Sequence, residues 1–493
     1  DELGILVWQD FMFANMDYPA ADAAFLGEAR AEAEHQLGRL QRHPCIAAYC
    51  GSSEVAQQAA MRGVPAEHWV NELFARVLPD LCASRHAGVP YFPSTPWGGA
   101  LPFHVGTGLA HYYGVGAYLR PVPDVKSARV RFATECLAFS QVPEPETVAL
   151  ITGRQLPPPH HPAWKARVPR DPGAGWDFED VRDHYLRSLF GVDPVALRSR
   201  DLERYYALSR EVTGEVMRRV FAEWRACGST CGGALVWLYR DLWPGAGWGI
   251  VDSTGRPKPA WWHLRRAWAP RALHLTDEGL DGLAIHVVND APEPLEGCVE
   301  LALFRDGRAA TAVARAAIQV PARGTTLLPG DALLGHFTDS TNAYRFGPPG
   351  NDVIAARLLL PDGTVLSEDF HFPAGMALPP RETQVRLDTE ALDAERYRVR
   401  LESATFLQNV SVSSEGFIPS DNHFHVAPQR GKSLVFTPVG PRRAFQATFI
   451  PLNAMAPLVA RLGAPSGAAN EVGGARSNLL GAGESGPQPG ANR

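Results

Sequence analysis

The stretch RHPCIAAYCGSSEV, Arg42 to Val55, decides the fold because a short apolar run in it ends at a glutamate. The run CIAAYC is rich in small residues, which is typical of an inner strand of a parallel barrel. Glu54 then lies at the carboxyl end of that strand, where the loops of such a barrel converge on a site. Burying a carboxylate is costly unless it is paired or used, so Glu54 predicts a second carboxylate nearby.

A second run of the same kind supplies the partner. VRFATECLAF, residues 130–139, carries Glu135 inside an otherwise apolar segment. Two carboxylates in one cleft suit glycoside hydrolysis, in which one protonates the leaving oxygen and the other attacks the anomeric carbon or activates water. The residues alone leave another interpretation open, with Glu54 starting a helix and Glu135 lying on the surface.

Length and composition limit the class of protein. A chain of 493 residues with 45% hydrophobic residues predicts a soluble protein of several domains. The net charge of −6 argues against a nucleic-acid partner. Because no run approaches the roughly 20 apolar residues of a membrane span, no membrane partner is expected.

Seven scattered cysteines argue against a disulfide framework, and the C-x₃-C pair Cys227 and Cys231 lacks the second pair that a zinc site needs.

The pattern changes along the chain. Up to about residue 270, short apolar runs alternate with helix-like stretches, which predicts an α/β layout with a parallel sheet or barrel. Within it, residues 142–193 are proline-rich and are predicted to form a long loop that covers or inserts into the site. From about residue 271 helices disappear, and period-2 segments closed by Asn-Asp and Asp-Gly turns predict two β-sandwiches.

Several motifs occur in a fixed order across residues 1 to about 270. They are DELGILVWQDFMFANMDYP, EAEHQLGRLQRHPCIAAYCGSSE, STPWGG, HYYGVGAYL, RFATECLAFSQVPEPET and GALVWLYRDLWPGAGWGIVDSTGRPKPAWWHLRRAWAP. Together they resemble the β-mannosidase branch of glycoside hydrolase family 2. IPSDNHFHVAP, in the last predicted sandwich, is similar to the C-terminal domain of that family.

The resemblance implies a fold and a domain order. We expect a truncated (β/α)8 TIM-type barrel in residues 1–270, immunoglobulin-like β-sandwiches in 271–375 and 376–462, and a disordered Gly- and Ser-rich tail in 463–493. Family members carry further domains and the first two barrel strands before the equivalent of Asp1. A barrel that lacks those strands has open edges, so we expect this chain alone to be poorly stable and largely inactive.

The resemblance also implies roles for particular residues. Glu54 matches the general acid/base and Glu135 the nucleophile of a retaining exo-acting enzyme that needs no metal and no cofactor. Glu135 must be ionised and Glu54 protonated at the start, so their environments should push the two pKa values apart in that order. The partner is a β-mannoside or oligosaccharide substrate, and the oligomeric state is not predicted. The residues expected to bind the sugar are Trp8, Asp10, Ser53, His111, Tyr112 and Trp237.

The sequence departs from the family pattern at several of these positions. Ser53 replaces the asparagine that bonds a ring hydroxyl in the family, and Tyr49 replaces a tryptophan. The remaining replacements are Leu109, Tyr113, Gly116, Cys136, Leu137 and Arg240. Because both glutamates are retained, these changes indicate altered sugar specificity. Two alternatives stay open: a family 2 β-glycosidase of other specificity, and a carbohydrate-binding protein on a decayed hydrolase scaffold.

Overall fold

The computed structural model describes residues 1–340, 349–439 and 443–462. The first half of the chain alternates strands and helices as predicted. Its strands are β1 (Val7–Ala14), β2 (Ile46–Ser53), β3 (Tyr91–Phe92), β4 (Leu109–Tyr112), β5 (Phe132–Cys136) and β6 (Ala234–Val236). They form two parallel sheets, β1-β2-β3 and β4-β5-β6. Isolated bridges from Ser53 to Thr95 and from Trp97 to Leu109 connect the two sheets.

Ten helices accompany these strands. They are α1 (Ala23–Leu40), α2 (Val55–Met61), α3 (Leu78–Arg85), α4 (Asp124–Ala128), α5 (Pro145–Thr152), α6 (Pro162–Lys165), α7 (Phe178–Phe190), α8 (Pro194–Arg200), α9 (Leu202–Trp224) and α10 (Pro259–Ala267). A 3₁₀ turn, Ala66–His68, and a π-helical turn, Leu73–Val77, lie between α2 and α3. In α1 the side chains of Ala29, Ala33 and Leu37 are buried, because a spacing of four residues places them on one face.

The prediction of a long loop over residues 142–193 is wrong in part, because α5, α6 and α7 occupy much of it. Prolines mark these helices without breaking them: Pro145 and Pro162 each stand in the first turn, where the missing N–H costs no helical bond. Helix α7 begins with a capping box between Asp177 and Asp180.

Two antiparallel sheets follow, with orders β10-β9-β12-β13 and β11-β8-β7. Their strands are β7 (Arg271–Asp277), β8 (Leu283–Asn289), β9 (Leu295–Arg305), β10 (Ala309–Val320), β11 (Gly324–Pro329), β12 (Val353–Leu359) and β13 (Val365–His371). The expectation that helices vanish after residue 271 fails at one short helix, α11 (Gly330–Leu334), and one 3₁₀ turn, Gly279–Asp281.

A second pair of antiparallel sheets has the orders β14-β15-β19-β17 and β18-β16-β20-β21. Its strands are β14 (Val385–Ala391), β15 (Tyr397–Ser403), β16 (Leu407–Ser413), β17 (Phe417–Pro419), β18 (Phe424–Val426), β19 (Arg430–Pro438), β20 (Gln446–Ile450) and β21 (Leu458–Arg461). Alternate residues such as Val399 and Leu401 face a buried core with Phe436 and Phe449. The tail predicted for 463–493 lies outside the described residues.

One hydrophobic cluster joins the strand-helix half to both sandwiches, and each of the three parts also has a core of its own. Phe221 of α9, Phe370 of β13 and Phe406 before β16 belong to the same buried cluster. Polar contacts strengthen the junction, since Arg266 of α10 donates to Asp421 Oδ1 at 2.6 Å. No helix within the described ranges has both the length and the apolar composition needed to cross a membrane.

Candidate active site

Glu54 stands at the turn from β2 into α2. Its backbone is left-handed, with φ of 60°, and its N–H donates to the Thr95 carbonyl at 2.6 Å. A non-glycine residue in this conformation costs on the order of 1–3 kcal/mol, and such strain clusters at functional sites. The turn directs the Glu54 side chain toward strand β4 of the neighbouring sheet, where His111 contacts it.

His111 joins the two predicted catalytic carboxylates. Its Nδ1 lies 2.8 Å from Glu54 Oε1 and 3.4 Å from Glu135 Oε2. The β4–β5 register places His111 beside Glu135. One oxygen of each carboxylate and the imidazole nitrogen all lie within 4.8 Å of one another. The structure therefore brings Glu54, Glu135 and His111 together, at a spacing similar to the about 5 Å of retaining glycosidases.

The tautomer of His111 follows from its surroundings. Nε2 is buried and has no hydrogen-bond partner among the described residues. A proton on Nε2 would bury an unpaired donor, whereas a proton on Nδ1 is donated to Glu54. The same three side chains also have the donor set of a metal ligand group.

Two hydroxyl groups hold the Glu135 carboxylate. Ser53 Oγ donates to Oε1 at 3.1 Å, and the Tyr113 hydroxyl donates to Oε2 at 2.6 Å. Ser53 was expected to contact the sugar, but here it bonds the predicted nucleophile. Tyr113 was recognised in the sequence only as a replacement for tryptophan. The signal that identifies it is its position two residues after His111, which places both side chains on one side of the chain.

The pKa values of the two carboxylates move apart, but in the order opposite to the one expected. Burial raises the pKa of Glu135 above its ordinary value, and the nearby His111 and the Tyr113 hydroxyl offset this only in part. Burial also acts to raise the pKa of Glu54, but the hydrogen bond that His111 donates, with smaller contributions from Gln57 and Gln58, outweighs it and leaves that pKa lowered. The unliganded site therefore holds its proton more readily on Glu135 than on Glu54.

Trp237 lies next to the nucleophile strand. Its backbone N–H donates to the carbonyl of Cys136, the residue after Glu135, at 2.9 Å. Its side chain is 36% exposed and lies 6.2 Å from the ring of Trp248, between ring centroids. The peptide bond after Trp237 is cis. An exposed aromatic face beside a carboxylate is suited to the apolar face of a pyranose.

Trp8 and Asp10 form a pair on β1. Trp8 Nε1 donates to Asp10 Oδ1 at 2.9 Å, and the indole stacks on Phe92 and Phe132 at 5.1 and 5.9 Å. Trp8 therefore packs between aromatic rings of β3 and β5 and orients Asp10. Asp10 is exposed, which leaves its carboxylate available to hydroxyl groups.

Tyr112 does not join this group. Its side chain is buried, its hydroxyl donates to Asp124 Oδ2 at 3.0 Å, and its ring packs against Trp224 at 5.7 Å. Neighbouring residues of a strand point to opposite sides, so Tyr112 faces the helices when His111 faces Glu135. In this structure Tyr112 packs in the core, and it is Tyr113 that lies beside Glu135.

The remaining replacements support the backbone around the site. Buried Cys136 directs its thiol to the Leu235 carbonyl at 3.4 Å, and Leu137 is buried with φ of 59°. Gly116 adopts φ of 126°, a region that favours glycine, and donates to the Tyr185 hydroxyl at 2.8 Å. The other contacts are Leu109 with Trp97, Tyr49 with His86, and Arg240 with the Ser253 carbonyl.

Comparison with known proteins identifies relatives. No protein-family model matches the chain. Beta-mannosidase B of Thermothelomyces thermophilus is 32% identical over 300 residues, covering 56% of this chain and 34% of the relative. Beta-mannosidase B of Aspergillus niger is 27% identical over 439 residues, covering 82% and 49%. The chain thus spans half or less of the length of these curated relatives.

Solved structures give the same grouping. A beta-D-mannosidase from Dictyoglomus thermophilum is 25% identical with a TM-score of 0.76, and the match covers 88% of this chain and 51% of that one. An exo-chitosanase from Amycolatopsis orientalis, 12% identical with a TM-score of 0.65, covers 93% and 58% and is similar in fold. By these comparisons the chain is similar to β-mannosidases, in agreement with the resemblance of its motifs to the β-mannosidase branch of glycoside hydrolase family 2.

Proposed function

We propose that the protein is a retaining exo-β-glycosidase that releases terminal β-D-mannosyl residues, with Glu54 as acid/base and Glu135 as nucleophile. The observation that carries this proposal is the shared contact of His111 Nδ1, 2.8 Å from Glu54 and 3.4 Å from Glu135. This contact holds the two carboxylates close enough for double displacement. In that mechanism Glu135, and not a water molecule, makes the first attack on the sugar. The mannosidase relatives support the choice of sugar.

In the first step a Glu135 oxygen attacks the anomeric carbon as the bond to the leaving oxygen breaks. Glu54 gives its proton to that oxygen, so an alcohol leaves and a glycosyl ester remains on Glu135. In the second step Glu54 takes a proton from water, and the water oxygen displaces Glu135 from the anomeric carbon. Both carboxyl groups return to their starting states, and the sugar retains its anomeric configuration.

Sugar binding sets the protonation order that this chemistry needs. In the unliganded chain the His111 N–H lowers the pKa of Glu54 against the effect of burial. A sugar hydroxyl that accepts this N–H removes the donor, and burial then raises the pKa of Glu54. At the same time Ser53 and Tyr113 continue to donate to Glu135 and favour its ionised form. The ligand therefore moves the proton toward Glu54.

We place the sugar ring against Trp237, with Asp10 and His111 bonding its hydroxyls. Trp8 acts through Asp10, since its indole N–H holds that carboxylate at 2.9 Å. Ser53 acts on Glu135.

A specific observation favours a second candidate function, a family 2 β-glycosidase of other sugar specificity. The Ser53 hydroxyl donates to the nucleophile at 3.1 Å, so the ring-hydroxyl contact of the family's asparagine is not made by this side chain.

The architecture that we infer for this function is a (β/α)8 barrel. Strands β1 to β6 correspond to its third to eighth strands, because two parallel sheets follow each other in order, Glu54 directly follows β2, and Glu135 is the last residue but one of β5. We assign residues 1–270 to the catalytic domain, and 271–375 and 376–462 to immunoglobulin-like sandwiches. The 0.76 TM-score with the Dictyoglomus enzyme supports this assignment.

The test is hydrolysis of a panel of nitrophenyl glycosides by the protein made from its full coding sequence. We expect selective cleavage of the β-mannoside, loss of turnover in Glu135→Ala, and recovery of Glu54→Ala by added azide. Glu146→Ala is the matched control, since Glu146 is an exposed carboxylate paired with Arg256 at 3.3 Å. Cleavage of another β-glycoside in place of the β-mannoside would keep the proposed roles of Glu54 and Glu135 and would change the proposed sugar. Absence of turnover on every sugar would contradict the proposal and favour a binding protein.

A further inference from the structure

A second cluster of buried ionisable groups lies where the last sandwich meets the strand-helix half. His423 precedes β18, and its side chain is 1% exposed. Its Nδ1 lies 2.6 Å from Glu211 Oε1 of α9, and its Nε2 lies 2.9 Å from Glu144 Oε1. A neutral imidazole donates from one nitrogen only, so two carboxylates require the doubly protonated ring. His423 is therefore an imidazolium between two carboxylates, of which Glu211 is buried and Glu144 is partly exposed.

Glu144 connects this cluster to the proposed nucleophile. It stands nine positions after Glu135, at the start of α5, and residues 136–143 between them are all buried. The segment is also fixed along its length. Lys258 Nζ donates to the Gln141 carbonyl at 2.9 Å, and Arg210 Nε donates to the Pro143 carbonyl at 3.0 Å. Because these residues are closely packed, a displacement of Glu144 at one end of the segment shifts Glu135 at the other end.

We propose that His423 is a positioning residue for catalysis: the last sandwich supplies a cation that ties Glu144 to α9 and thereby holds the segment that follows the nucleophile strand. The inference rests on the proposed function, since it concerns the same Glu135. On this proposal the last sandwich contributes to catalysis through His423, and it also buries apolar surface.

Other charged groups face His423 from each element packed around it. Glu211 also accepts from His263 at 3.1 Å and from Asn409 at 3.2 Å. The groups around the cluster are Arg210 and Glu215 of α9, Arg266 of α10, Glu146 of α5, His425 of β18, Asp421 of the preceding loop and Lys432 of β19. Of these, Arg266 donates to the His423 carbonyl at 2.6 Å and fixes its backbone.

The pH dependence has a defined sign. Burial acts to lower the pKa of His423, but Glu211 and Glu144 outweigh it and raise the pKa to about 9. Because the folded value lies above the ordinary 6.5, the stabilisation is complete below about pH 6.5 and is lost as pH rises through about 9. Both docking and activity should therefore have an alkaline limit in this range.

The test compares His423→Gln with His425→Gln in the protein made from its full coding sequence. His425 belongs to the same interface, with Nε2 3.1 Å from Glu215, but does not contact Glu144. We expect both variants to lower Tm by up to about 5 °C at pH 7. Only His423→Gln should lower kcat for a nitrophenyl glycoside, about tenfold, with KM changed less than about twofold. Adding Glu144→Gln to it should restore part of kcat, since the anion at the end of the segment that follows Glu135 is then neutral.

The outcomes separate the two hypotheses. An active parent protein whose His423→Gln variant keeps its kcat and its alkaline limb would overturn the positioning role and leave the glycosidase proposal intact. An equal loss of kcat in His425→Gln would also overturn it, because general loosening of the interface would then be sufficient. No turnover in the unsubstituted protein would refute both.

Discussion

Replacing Tyr113 by phenylalanine tests the geometry of the nucleophile directly. The change removes the hydroxyl that donates to Glu135 Oε2 at 2.6 Å and leaves the ring in place. A hydrogen bond to a charged group contributes about 1.5–3 kcal/mol. One pKa unit corresponds to about 1.4 kcal/mol, so the lower end of that range predicts a rise of about one unit in the pKa of Glu135. We take the lower end because the Ser53 hydroxyl still donates to the other oxygen.

The assay is the pH profile of kcat/KM on the preferred nitrophenyl glycoside. Because Glu135 has the higher pKa of the two carboxylates in the free enzyme, the alkaline limb reports Glu135, and it should move upward by about one unit in Tyr113→Phe. Tyr112→Phe is the matched control, because the Tyr112 hydroxyl bonds Asp124 away from the cleft. An alkaline limb that stays in place in Tyr113→Phe, or that moves equally in Tyr112→Phe, would refute the assignment.

Three further predictions concern other hydrogen bonds and ion pairs of the structure. Ser53→Ala removes the 3.1 Å bond to Glu135, so the alkaline limb should rise by less than in Tyr113→Phe, and equal or larger movement would contradict the distances. His111→Gln removes the imidazole that lowers the pKa of Glu54, so the acidic limb of the kcat/KM profile should move upward while kcat falls; a downward movement would exclude this cause. Lys258→Met removes the cation that lies 2.5 Å from the buried Asp241 carboxylate. The free energy of unfolding in urea should therefore fall by about 3–5 kcal/mol, and an unchanged midpoint would refute the pairing.

The residue pattern was sufficient to predict the main elements that carry the chemistry. CIAAYC and the run around Glu135 are short and largely apolar, a glutamate follows the first and lies within the second, and they give rise to β2 and β5. The change at about residue 271 from helical to period-2 patterns corresponds to the first antiparallel strand, β7. These predictions depend on which residues must be buried, and burial leaves a periodic signal in the sequence.

Contacts between side chains leave no such signal. Tyr112 and Tyr113 are the same residue type in adjacent positions, and only the strand register decides which hydroxyl meets Glu135. The helices within 142–193 were missed because their prolines were interpreted as breaks, although Pro145 and Pro162 stand at positions where proline is compatible with a helix. The protonation order was also missed, since it depends on a single nitrogen of His111.

The two departures nearest the nucleophile belong together. Ser53 stands where the family has asparagine and Tyr113 where it has tryptophan, and in this structure both donate an O–H to the same carboxylate, one to each oxygen. Two changes that meet on one group are expected to be energetically coupled, because each alters the ionisation on which the other acts. Restoring asparagine at position 53 alone would replace the O–H donor of Ser53 with an N–H donor and would not restore the second family residue. The double substitution, measured against each single one, therefore separates sugar recognition from the ionisation of Glu135.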